Sequence, residues 1–600
     1  MLKALPLISF CLLIGFSLIG QSQWVQHQPV VLDFSIGETN ETASTNPFTD
    51  YRLQVNFSKE GATFSVPGFY AADGNAAETS ASEGGTWRVI FTPPTAGEWE
   101  YEVSFTKGKH IVIEDDAYQG EAVLPHHKKQ SKFNVLAAPE NARGFEKSGR
   151  LQYNQSRYLY TEDGEPILMF GANSPENFLA YEDIDGTYSY HPDKQFLKSW
   201  SPHVKDWKSG DPTWKDGKGK GIIGSLNYLA EKGMNVVYAL TLNIEGDARD
   251  IWPFISHERK DFLRYDVSKL AQWDIIFSHA EKLGIVMQLV TQETENELLL
   301  DDGDTRIERR LYYRELVARF GYHKNIIWNM GEENGPASFW PQGQSDQQRF
   351  SMIRYLKDHD PYKNPLVIHS HAHATERNEI LNPLKAFDRL DGISMQVAEI
   401  HNIHHVFLDW INQSKNTTRP WFLTMDEIGP WHSGTRVDEE DPKHDTLRSQ
   451  VLWGTLMAGG AGVEWYYGWL KPPHDLNAEN FRSRNNIYEQ SNTAHQFFKQ
   501  IPYTEMNSSD QLLSNKKNFC FSKEGEIYVV YKDINENTTL DLSKTEGTFE
   551  VSWFNPRMGG DLTQGDKKKV TGGQVVDFGT PPTDPNQDWV ILLKKKIKRK

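Results

Sequence analysis

Between Pro166 and Tyr467 the chain holds eight short apolar strands, the first followed by seven units in which a helical stretch or a stop precedes the strand. PILMFG at 166–171 opens the series. LNYLAEKG then precedes MNVVYAL, LAQWDIIFSHAEKLG precedes IVMQLV, and RRLYYRELVARFG precedes NIIWNM. FSMIRYLKDHDP precedes PLVIHS, DRLDG precedes ISMQV, RP precedes WFLTM, and GTLMAGGAG precedes VEWYY. In the third unit Leu270, Trp273, Phe277 and Ala280 fall on one helical face. Eight strands alternating with helices fit a (β/α)8 TIM barrel. A doubly wound open sheet is the rival, but no glycine-rich phosphate turn follows the first strand.

On either side the pattern changes. VVLDFSI, YRLQVNFS, WRVIFTP and WEYEVSF alternate apolar and polar residues between Gly, Pro, Asn and Asp clusters, which predicts a β-sandwich over 23–137. Residues 138–160 read as a linker and 161–509 as the barrel. EIYVVYK, TTLDLS, TFEVSWFNP, QVVDFG and DWVILL predict a second β-sandwich over 510–600.

Residues 1–22 carry one basic residue, an apolar run and small residues at its end, the pattern of a secretory signal peptide. A retained anchor is the rival; the apolar run is short for a span of about 20 residues. The two cysteines are Cys11 and Cys520, so removal of the leader leaves no disulfide. That suits bacterial export, to the periplasm or medium, better than an animal ectodomain. A net charge of −17 argues against nucleic acid as a partner and disfavours anionic ligands. With 18 Trp and 24 Tyr the chain has aromatics to spare for stacking, although cores also absorb them. The basic end KKKIKRK reads as a solvated strand end. No stable membrane insertion is expected, and the sequence does not reveal the oligomeric state.

Barrel enzymes work at the C-terminal ends of their strands. There the chain places Asn173, Glu176 and Asn177; Asn243 and Glu245; Gln292, Glu293, Glu295 and Asn296; Asn329, Glu332, Glu333 and Asn334; His369, His371 and His373; Gln396; Asp426 and Glu427; Glu464, Trp465, Tyr466 and Tyr467. Carboxylates and amides flanked by aromatics suit a sugar, whose hydroxyls take directional hydrogen bonds and whose ring faces stack. Glycoside hydrolysis needs two carboxyl groups across the scissile bond. The best pair is Glu333 and Glu427, three βα units apart on the same barrel face, each in an apolar, Trp-containing setting. Surface carboxylates in loops are the alternative. Asp426 is the rival to Glu427, and Glu332 to Glu333. Asn173, Glu293, Asn329, Glu332, His369, Gln396, Trp465 and Tyr466 are the candidate substrate-binding residues. HSHAH at 369–373 puts three histidines on one strand face, where zinc is possible; sugar-binding or structural histidines are the plainer reading, and no metal or other cofactor is expected. His401, His404 and His405 are further rim candidates, and Arg482 a candidate ion-pair partner closing the barrel.

WNMGEEN at 328–334 resembles the strand-4 motif of clan A glycoside hydrolases, the four/seven superfamily, and TMDEIG at 424–429 resembles their strand-7 nucleophile motif. Longer motifs resemble an apiosidase-like bacterial group, in which a sandwich domain of unknown function precedes the barrel and a domain labelled collagen-binding follows it. NPFTDYRLQVNF, VPGFY and AGEWEYEVSF resemble the first domain. QVLWGTLMAGGAGVEWYYG and FRSRNN resemble the end of the barrel, and EIYVVYKD, VSWFNPRMGG and DWVILL the last domain. The resemblance implies Glu333 as acid/base and Glu427 as nucleophile. Glu332 departs from it, standing where the clan usually has an Asn that binds the 2-hydroxyl.

These readings point to a retaining glycosidase acting on a plant or algal polysaccharide or its oligosaccharides by double displacement. Its carboxyl pair should lie roughly 5–5.5 Å apart. The alternatives are a non-catalytic carbohydrate- or matrix-binding protein on an inactive barrel, and a polysaccharide lyase, which would need a neutral base and a basic pocket.

Overall fold

The computed structural model describes residues 23–114, 120–192, 196–257, 261–417 and 419–596; the expected signal peptide lies outside them. Eight parallel strands close a barrel in sequence order: β1 (Met169–Ala172), β2 (Val236–Leu240), β3 (Val286–Val290), β4 (Ile326–Asn329), β5 (Leu366–His369), β6 (Gly392–Val397), β7 (Phe422–Ile428) and β8 (Gly462–Trp465). Every residue of these strands is buried, as expected where helices cover the outer face and side chains fill the bore. Closure requires glycine at the seam. A Cβ on Gly462 would stand 2.0 Å from the Met169 carbonyl oxygen, and φ there is +155°.

The helix Val267–Leu283 shows how the sequence sets the outer ring. The Asp266 side chain accepts the Lys269 N–H at its start, and Gly284 ends it in the left-handed conformation. Leu270, Trp273, Phe277 and Ala280 are all buried along the face read from the sequence.

The N-terminal region pairs a six-stranded sheet with a three-stranded one, and its core runs on into the barrel's. Arg319 donates to the Tyr70 carbonyl at 2.9 Å, and Glu41 accepts the Val267 N–H at 2.8 Å. Residues 138–160, expected as a linker, hold a short helix, Gly144–Ser148. They also hold two strands, Leu151–Tyr153 and Leu159–Thr161, of a small sheet. Arg150 in this stretch donates to the carbonyls of Tyr322 and His323 and so fastens it to the barrel.

The C-terminal region is a six-stranded antiparallel sheet beside a two-stranded one. Its alternation buries both faces. Phe519, Phe521, Tyr531 and Leu592 pack toward the barrel, while Cys520, Tyr528, Val530 and Ile591 form a second core. Across the junction Arg448 forks onto Asp588 at 2.7 and 3.1 Å, and Arg557 and the Tyr531 hydroxyl also bind that carboxylate. No described helix is long and apolar enough to cross a membrane.

Candidate active site

At the C-terminal mouth of the barrel lies a cavity of about 470 Å³. Of the ten residues singled out from the sequence, Glu293, Glu332, Glu333, Gln396, Glu427 and Tyr466 line it. Asn173, Asn329 and His369 are buried and do not line it.

Trp465 is a correction. On β8 the alternation sends Glu464 into the bore and Trp465 outward, where its indole N–H donates to Ser491 Oγ at 2.9 Å. Tyr467 likewise bonds the Tyr488 hydroxyl and carries Arg484 over its ring. The three histidines of HSHAH diverge: His369 faces Glu427, His371 meets the Gly335 carbonyl at 3.2 Å, and His373 lies exposed beside Glu399. His404 does not reach the rim either. It stacks on Phe519 and meets Asp510 at 2.7 Å, at the junction with the C-terminal sheet. Arg482 pairs with Asp206 at 2.5 Å.

Glu427 lies inside β7, where a bulge decides its direction. Met395 of β6 pairs with Met425, but the next residue, Gln396, pairs with Glu427, so Asp426 is extra. An inserted residue breaks the two-residue alternation and lets neighbours share a face. Asp426 accepts from Gln288 across the bore at 2.9 Å, while Glu427 turns to the cavity.

Glu332 and Glu333 follow β4 on a loop held from outside. The Glu332 N–H donates to the Gln292 carbonyl at 3.0 Å, and Thr294 Oγ1 donates to the Glu332 carbonyl at 3.1 Å. Deeper in, the Glu297 carboxylate accepts the N–H groups of Gly335 and Gln344, both at 2.5 Å, tying this loop to the one after β3. Glu333 has φ +38°, a conformation non-glycine residues rarely adopt and one that recurs at functional sites. Its N–H donates to His369 Nδ1 at 3.4 Å. That leaves the imidazole proton on Nε2, facing Glu427 Oε2 at 3.7 Å. Burial pushes His369 down to about 3, so the ring is neutral at physiological pH.

The Gln396 side chain stands beside both Glu333 and Glu427 and favours the charged form of each. Burial, then the charge of Glu295, pushes Glu333 up to about 8, eased by Gln396. Burial pushes Glu427 well above the usual carboxylate range, with Glu333, Glu332 and Asp475 adding repulsion. Glu332 rises for the same reasons, burial first, and hydrogen-bonds Glu176, which in turn bonds Asp475. Carboxyls this close hold protons between them and titrate as a group.

Sequence reasoning missed Asp247, Phe339, Trp431, Trp469 and Asp475, all on the wall. Trp431 and Phe339 are 60% and 55% exposed, flat apolar faces at the cavity mouth. Their signal was an aromatic in the loops beyond strand ends, as in GPWH and GWLKPPHD. Among the described residues Glu332, His369 and Glu427 offer ligand atoms within 4.8 Å of one another, spacing that also suits a divalent ion.

Residues 23–106 match a domain of unknown function, DUF5060, and residues 501–594 match the family described as "Putative collagen-binding domain of a collagenase". No curated protein matches the chain. Among solved structures, the fold is similar to a "putative glycoside hydrolase" from Bacteroides vulgatus ATCC 8482, 14% identical. The match has a TM-score of 0.64 and covers 96% of this chain and 100% of the other. A glycoside hydrolase family 5 protein from the same organism is 15% identical, with a TM-score of 0.52 over 76% of this chain and 95% of that one. A further glycoside hydrolase is 14% identical, with a TM-score of 0.53 over 76% and 100%. At such identities the shared property is the architecture: a TIM barrel with added sheets.

Proposed function

We propose that the chain is an exported glycosidase, a clan A retaining glycoside hydrolase of apiosidase-like type acting on a poly- or oligosaccharide. The observation that carries this reading is the carboxyl pair Glu333 and Glu427, which face one cavity at the mouth of a TIM barrel. The fold shared with glycoside hydrolases supports the same reading.

Glu427 attacks the anomeric carbon while Glu333 gives its proton to the leaving oxygen. The carbon–oxygen bond to the leaving group breaks as a glycosyl ester forms. Glu333, now a carboxylate, takes a proton from water, and the water oxygen displaces Glu427. Gln396 favours the charged form of both groups and so stabilises each when it is ionised. His369 Nε2–H faces Glu427 Oε2 at 3.7 Å. Trp431 and Phe339 offer stacking faces for flanking sugar rings. Plant and algal glycans are the first substrates to screen, and the N-terminus of the exported protein should begin between residues 20 and 23.

Kinetics of variants on aryl glycosides test this. Glu427→Gln should lower kcat roughly 10³-fold or more, and Glu333→Gln roughly 10²–10⁴-fold. Azide should restore turnover in the Gly variants, giving glycosyl azides of opposite anomeric configuration from the two sites. Full activity in both Gln variants would end the assignment.

The match of residues 501–594 to a collagen-binding domain favours one second reading, a matrix-binding protein. Collagen and glycan binding by Glu427→Gln, with no hydrolysis by the wild type, would select it.

A further inference from the structure

The bore beneath the cavity is polar, where a barrel of this kind usually packs bulky apolar side chains. Glu464 on β8 is fully buried there, and neither of its carboxyl oxygens has a hydrogen-bond partner among the described residues. The double displacement gives it no part. Asp426, the extra residue of the β7 bulge, is also fully buried. Its Oδ2 accepts from Gln288 at 2.9 Å, and its Oδ1 has no partner among the described residues. The Ser394 and Thr424 hydroxyls stand beside Asp426 without meeting hydrogen-bond geometry. The β7–β8 ladder pairs Met425 with Val463, so Asp426 and Glu464 are the next residues on neighbouring strands, whose backbones run about 4.8 Å apart. All eight strands around them are described, and among the described residues no lysine or arginine acts on either carboxyl; Asp426 is the one charged group acting on Glu464.

Resting on the glycosidase reading, we propose that Glu464 is a positioning residue for the nucleophile: as a neutral acid it donates its O–H to Asp426 Oδ1, directly or across one bridging water, and so pins the bulge that aims Glu427 at the cavity. Two carboxylates side by side in a buried bore with no cation would each carry an uncompensated charge. One proton between them removes that conflict. It also satisfies an oxygen on each, because a protonated carboxyl donates and an ionised one only accepts. Such an O–H···O⁻ bond is short and roughly twice as strong as a neutral one. Burial and the Asp426 charge push Glu464 well above the usual carboxylate range, whereas burial lifts Asp426 only to about 6, so the proton belongs on Glu464. With Oδ2 held by Gln288 and Oδ1 by Glu464, the Asp426 side chain is fixed at both oxygens, and the backbone it shares with Glu427 is braced from beneath. A misplacement of about 1 Å at a reacting group can cost roughly 10²-fold in rate.

The test compares Glu464→Gln, which keeps shape, neutrality and an N–H donor, with Glu464→Leu, which keeps only bulk. On aryl glycosides Glu464→Gln should stay within about threefold of the wild-type kcat with the same pH profile, and Glu464→Leu should lower kcat roughly tenfold or more with KM unchanged. Asp426→Asn combined with Glu464→Leu should cost no more than the worse of the two single variants, since both act through one contact. Wild-type kcat in Glu464→Leu, a loss in Glu464→Gln as large as in Glu464→Leu, or additive losses in the double variant would overturn the proposal. Infrared difference spectra of the wild type against Glu464→Gln at neutral pH read the proton without turnover, and they still decide if Glu464→Leu fails to fold. The carbonyl stretch of a protonated carboxyl, lost in Glu464→Gln, supports the proposal; loss of an ionised carboxylate band instead refutes it. The same spectra separate its failure from that of the glycosidase reading. If no glycoside is hydrolysed, the protonated band still supports the Glu464–Asp426 contact and its absence sinks it. If glycosides are hydrolysed with retention and Glu464 is ionised, only the positioning role falls.

Discussion

At the scale of single residues, the proposed mechanism needs one carboxyl to keep a proton while another attacks. Burial and Glu295 hold Glu333 up near 8, so it is mostly protonated at neutral pH and loses its proton around that value. The rate should therefore fall on the alkaline side near pH 8. Glu333→Gln, assayed with a leaving group that needs no protonation, should lose that limb from its kcat/KM profile. An unchanged limb would assign it to another group. That Glu333 and Glu427 would meet at one cavity was legible in the sequence because each sits at a strand end in a Trp-containing segment. The contacts that tune the pair were not: Gln396 was visible only as a polar strand end, and Asp475 and Asp247 come from loops whose paths depend on packing far along the chain. The choice between Glu332 and Glu333 also needed coordinates, since adjacent residues share every sequence signal. Both line the cavity, and the positive φ belongs to Glu333.

At the scale of elements, the eight apolar runs became eight barrel strands because a fully buried parallel strand leaves its mark as a short apolar run between helix stops. Side-chain direction was harder. Trp465 follows simple alternation and faces out, while Glu427 breaks it through the β7 bulge, which hydrophobic patterning does not record. Closure at the β8–β1 seam depends on glycine. Gly462→Ala would drive a methyl into the Met169 carbonyl and should destabilise the barrel by roughly 3 kcal/mol or more, readable by urea unfolding. Wild-type stability in this variant would refute the account of the seam.

At the scale of the whole molecule, the flanking sheets are fastened to the barrel by buried polar groups. Asp588 is fully buried and held by Arg448, Arg557 and Tyr531, and these contacts keep its carboxyl below the usual range despite burial. Asp588→Ala strands two guanidinium groups and should cost about 3–5 kcal/mol, seen as a separate, earlier unfolding transition of the C-terminal sheet in calorimetry. The single-sequence reading found the three regions but not this joint, because ion pairs across a junction follow no local pattern. The whole arrangement serves one claim, that Glu333 and Glu427 carry out a double displacement. Proton NMR of the first anomer released from a hydrolysed glycoside tests it most directly: the product should keep the substrate's anomeric configuration before mutarotation, and release of the inverted anomer would contradict it.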